Sequence, residues 1–165
     1  MATTLLARHI ATEISNASAL EAKIKSLVSE VKSRAEAGFY SATVDISPTI
    51  YKHMRDHFTE RGFIVEYEKA TFKVNWKFPV DTKPGQNTAR HFLQVTRDVL
   101  DANFDKSVEL VNNDIEKAAQ NGRFSCDVYS LPVHQNNLTP LLDLLHSNGY
   151  EADHSGSYIH IDWED

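Results

Sequence analysis

Gly62-Phe63-Ile64-Val65-Glu66-Tyr67, then Phe72-Lys73-Val74-Asn75-Trp76, decides how this chain folds, because the same arrangement comes back as Gly149-Tyr150-Glu151-Ala152-Asp153-His154, then Ile159-His160-Ile161-Asp162-Trp163. From glycine to tryptophan is 14 positions both times. Self-similarity at a fixed period governs the whole architecture, so it is read before any local assignment. Upstream, Ala35-Glu36-Ala37-Gly38-Phe39-Tyr40-Ser41-Ala42-Thr43-Val44 aligns with Ala119-Gln120-Asn121-Gly122-Arg123-Phe124-Ser125-Cys126-Asp127-Val128 at a shift of 84. The shift becomes 87 after a three-residue insertion near Leu131 to Asn137, and Ala7-Arg8-His9-Ile10 aligns with Ala89-Arg90-His91-Phe92 at 82. Constant spacing inside elements, with small changes in loops, predicts a duplicated fold.

Each copy can be read physically. Ile24, Leu27, Val28, Val31 and Ala35 recur at three and four residues and mark one face of a helix. Ser18 and Glu21 have capping-box spacing at its start, and Gly38 stands where a left-handed C-cap favours glycine. Val108, Val111, Ile115, Ala119 and Gly122 give the same helix again. Tyr40, Ala42, Val44 and Ile46 alternate with polar residues, as do Phe124, Cys126 and Val128, which predicts a strand with one buried face. Ser47-Pro48 opens a second helix with Ile50, Tyr51, Met54 and Phe58 inward; Leu138, Leu141, Leu142 and Leu145 are its counterparts. A pair of antiparallel strands follows, turning at Lys69-Ala70-Thr71 and Ser155-Gly156-Ser157. The expected fold class is therefore α+β, as two tandem repeats of helix, helix, strand, helix, strand, strand packed about a pseudo-twofold axis with a mostly antiparallel sheet. The first repeat is expected at 1–78 and the second at 88–165. Between them, 79–87 has linker composition, with Pro79, Pro84 and Gly85.

Composition narrows the function. A 165-residue chain with 41% hydrophobic residues can bury a core. Seventeen basic against 23 acidic side chains leave a net charge of −6, which argues against a duplex-DNA binder that must neutralise phosphates. The single cysteine, Cys126, excludes an internal disulfide and suits a reducing compartment. Arg8, His9 and Glu13 break up any secretory signal at the start, and no apolar run approaches the roughly 18 residues of a membrane span.

The repeated unit resembles small proteins of tailed bacteriophages and large DNA viruses. The resemblance lies in a helix ending Ala118-Ala119-Gln120-Asn121-Gly122, an alternating strand, a helix ending Gly149-Tyr150, and a strand closing as Ile159-His160-Ile161-Asp162-Trp163. The first unit carries the pattern less fully, in Arg34-Ala35-Glu36-Ala37-Gly38, Gly62-Phe63 and Phe72-Lys73-Val74-Asn75-Trp76. These motif residues are architectural. The resemblance implies a viral origin and no reaction.

Candidate chemistry is sparse. His53 and His57 stand at i and i+4, a spacing that lets two imidazoles share a metal, but no glutamate follows His53 as in the metalloprotease motif, and the second copy has Pro140 and Leu144 there; a solvated helix face is the plainer account. His154 and His160 with Asp153 and Asp162 could form an acid–base cluster, although alternation assigns His160 and Asp162 to an open polar face. Cys126 falls at an inward strand position where Ala42 stands in the first copy, and buried thiols are inert. No phosphate-binding glycine loop or zinc spacing occurs. Arg8-His9 and Arg90-His91 are the candidate ligand-binding residues, since a twofold arrangement would let two guanidinium groups clamp phosphates. Trp76 and Trp163 are expected as equivalent core anchors. The expected protein is non-catalytic, without metal or cofactor, and acts by association with other viral proteins or itself as a minor component of the virion. The alternative is a protein of the host cytoplasm that sequesters a nucleotide signal used in defence. Duplex nucleic acid and membranes are not expected partners.

Overall fold

A computed structural model of the chain describes residues 8–80 and 85–164, with the side chains of 8–13 and 136 excepted. The described residues form an α+β fold of four α-helices and two three-stranded antiparallel sheets. In chain order these are α1 (Arg8–Glu36), β1 (Ser41–Asp45), α2 (Tyr51–Thr59), β2 (Ile64–Glu68), β3 (Thr71–Asn75), α3 (Ala89–Gln120), β4 (Ser125–Tyr129), α4 (Leu138–Ser147), β5 (Glu151–Ser155) and β6 (Tyr158–Asp162). Strand order is β1-β3-β2 in one sheet and β4-β6-β5 in the other. The chain divides into two compact units, Met1–Arg97 and Asp98–Asp165, so α3 contributes its first turns to the first unit and the remainder to the second.

Where two helices were expected at the start of each repeat, there is one. Neither α1 nor α3 contains a glycine or proline, so nothing interrupts the hydrogen-bond ladder. Ser18, read as an N-cap, therefore lies inside α1. Both helices end where glycine lets them. Gly38 and Gly122 take φ of 84° and 71°, and the following amides, Phe39 and Arg123, reach back to the carbonyls of Arg34 and Ala118 at 2.9 and 3.0 Å. This is the Schellman geometry, which satisfies carbonyls that a helix end would leave bare.

In the first unit Leu27, Val31 and Ala35 of α1 are fully buried against the β1-β3-β2 sheet, and Met54 and Phe58 of α2 complete the layer. The β2–β3 hairpin turns on Lys69 and Ala70, both at positive φ, as a two-residue type I′ turn requires. The core continues into α3, whose Ala89 and Phe92 are buried with Trp76. Thr88 caps that helix, accepting from the His91 amide at 3.2 Å, and the Ala89 amide donates to the Arg61 carbonyl at 2.9 Å.

The second unit builds a smaller core from Val111, Val128, Leu141, Leu145, Ile159 and Ile161. Two expected inward positions differ. On α3 it is Ala118 that is buried and Ala119 that faces out, and on the strand side Phe124 is 57% exposed. Residues 1–97 carry 14 lysines and arginines against 10 acids, whereas 98–165 carry three against 13. The first unit is thus basic at +4 and the second strongly acidic at −10.

Candidate functional site

Both closing tryptophans are held by the same backbone bond. The Trp76 amide donates to the Tyr40 carbonyl at 3.0 Å and the Trp163 amide to the Phe124 carbonyl at 2.9 Å. Each indole meets the aromatic ring after its helix-ending glycine edge-on: Phe63 and Trp76 at 6.3 Å and 80°, Tyr150 and Trp163 at 6.1 Å and 83°. What lies over the rings differs. In the first unit α3 covers them: Phe92 sits 6.3 Å from the Trp76 ring, and the Trp76 indole N–H donates to Thr96 Oγ1 at 3.0 Å. Trp76 and Thr96 are consequently inaccessible to solvent.

In the second unit the corresponding face is open. Tyr150 and Trp163 are half-buried, Phe124 is exposed, and among the described residues the Trp163 indole N–H has no hydrogen-bond partner. The expectation of two equivalent core anchors is corrected accordingly: Trp163 is a partly covered edge of its core. Asp162 and Glu164 flank it in sequence, but Asp162, with Glu151 opposite it in the strand register, lies with His160 on the outer side of the sheet. An aromatic patch left open at the edge of a core has the anatomy of an association surface.

A second concavity in this unit lies along the segment from Ser130 to Leu138. Leu131, Val133, Leu138 and Ile159 form its apolar wall, and Gln135, Ser157 and His154 stand at its polar side. Ser130, at φ 57°, turns the chain into it. Its volume of about 230 Å³ is below the roughly 300–1,000 Å³ of ordinary ligand pockets, so it suits one side chain better than a nucleotide.

The remaining sequence candidates are placed as follows. Arg90 and His91 are exposed in the first turn of α3, while the side chains of Arg8 and His9 lie outside those described. His53 is exposed and His57 half-buried on α2; burial, and then the Arg61 guanidinium, push His57 below the ordinary histidine value. Among the described residues no group of three or more histidine, cysteine or acidic side chains is placed to hold a metal ion. His154 and His160 do not converge. Register sets His154 opposite Ile159, on the core side of the sheet, and His160 opposite Asp153 and Asp127 on the outer side, where its Nδ1 lies 2.6 Å from Asp127 Oδ1. Cys126 is half-buried, and desolvation, helped by Asp114 and Asp127, raises its thiol above the ordinary value.

The open aromatic face was not singled out from the sequence, although its residues were. The signal that could have found it was the charge division between the two halves of the chain. Compared with family models, with curated proteins and with solved structures, the chain matches none.

Proposed function

We propose that this protein works by association rather than catalysis, as an accessory component of a virus particle, and that its two units descend from one by duplication. The observation that carries the association reading is the difference between the two tryptophan sites: the face that α3 closes in the first unit stands open in the second. The viral reading is supported by the motif resemblance alone. Duplication is supported by the matched hairpin registers, the paired Schellman ends and the two equivalent tryptophan bonds. The nucleotide-sequestering alternative rests on the Arg8-His9 and Arg90-His91 pairs of the sequence alone.

Mass spectrometry of purified particles tests the reading. The chain should be present at constant stoichiometry, and consistent absence would remove the virion role. Thermal-shift screening against cyclic dinucleotides and ADP-ribose derivatives tests the alternative, since a ligand at about 100 times its dissociation constant adds roughly 2.7 kcal/mol of stability. No shift is expected.

A further inference from the structure

We propose that the open face of the second unit, formed by Phe124, Tyr150 and Trp163, receives the start of α1 from a second copy of this chain, giving head-to-tail self-association. The inference rests on the association reading and names its partner. The template is inside the molecule. In the first unit Phe92 packs on Phe63 and Trp76, Thr96 accepts from the Trp76 indole, and Ala89 is buried in the same core, the three following one another at helical spacing along α3. The sequence that leads into α1 has that pattern: Ala7-Arg8-His9-Ile10 parallels Ala89-Arg90-His91-Phe92, and Ile14 of α1 stands where α3 has Thr96. Ile14 is 55% exposed, and 14–19 of α1 are open to solvent along their length, so this stretch is uncovered in its own unit. Ile14 in place of Thr96 adds apolar contact and leaves the Trp163 N–H at the wetted rim.

Charge selects the same pairing. The unit that carries α1 is at +4 and the unit that carries the face at −10. Two seats or two helices would repel or leave apolar surface bare; seat against helix does neither. Such a contact is heterologous, because the patch and its complement lie on different surfaces. It therefore passes from copy to copy until it closes into a ring or extends as a filament.

The experiment uses two full-length variants at exposed positions. Ile14→Asp spoils the helix and keeps the seat; Phe124→Lys spoils the seat and keeps the helix. Light scattering coupled to size exclusion should show wild type growing beyond a monomer as concentration rises, and shifting back toward monomer at high salt. Each variant alone should remain monomeric, at least tenfold weaker in association. Their equimolar mixture should form a 1:1 dimer and stop there. A wild-type monomer at every soluble concentration, or association that both variants retain, would overturn the inference, and neither result bears on whether the chain is found in particles.

Discussion

The Trp76 indole N–H and the Thr96 hydroxyl, 3.0 Å apart and both fully buried, join the sheet of the first unit to α3. The same hydroxyl donates onward to the Phe39 carbonyl at 3.0 Å, in the loop that ends α1. One threonine thus satisfies a buried donor and a buried acceptor. Thr96→Val keeps the shape and removes both bonds, so it is expected to cost about 2–4 kcal/mol, the desolvation of two orphaned groups. Thr96→Ser should recover most of the loss. Urea titration of the two variants checks this.

The tryptophans should separate by stability. Trp76→Ala empties a closed core site and is expected to cost about 3–5 kcal/mol. Trp163→Ala loses only part of a ring's burial and should cost about 1–2 kcal/mol. Equal costs in denaturant titration would mean that the second site is as closed as the first.

This asymmetry marks where the sequence stops being legible. Alternation along Phe72-Val74-Trp76 and Ile159-Ile161-Trp163 reads identically, and the strands, registers and glycine stops follow from it. Alternation reports which way a side chain points, not what is laid over it. The cover on Trp76 comes from a helix more than ten residues downstream, and no local period encodes that contact. The long helices were missed for the opposite reason: Ser18 with Glu21 satisfies a capping pattern, but with no glycine or proline beside it the helix runs through. His154 and His160 looked like one cluster because six positions separate them; a two-residue turn between them reverses the chain and puts them on opposite faces.

Gly122 holds the end of α3 at φ 71° with open space where a Cβ would go. Gly122→Ala should therefore carry only the backbone cost of a left-handed residue, about 1–2 kcal/mol, without steric clash. Thermal unfolding of this variant measures it.

Cys126 is expected to stay a thiol at neutral pH, since its value is raised by burial and by two neighbouring carboxylates. Its reaction with a disulfide reagent in the native protein should be slower than in the urea-unfolded chain at the same pH. Faster native reaction would reveal an activated thiol.

His57 gives the fold a pH dependence of known sign. Its value is lowered in the folded state, so the folded chain takes up the proton less readily than the unfolded one. Its neutral form stabilises fully above about pH 6.5, the unfolded value, and stability falls as pH drops from there toward the lower folded value. Because the ring is partly open to water, the effect is small. His57→Gln should flatten the fall in urea midpoint between about pH 7.5 and pH 5. An unchanged slope would assign it to other groups.

The central claim, that the Trp163 face is covered by another copy, is tested most directly by the accessibility of that indole. With Trp76→Phe, Trp163 is the single tryptophan of the chain, and acrylamide quenching reads its exposure without a charge bias. The account predicts strong quenching in dilute protein that declines as concentration rises, with Ile14→Asp abolishing the decline. Quenching that stays the same at every concentration would contradict it.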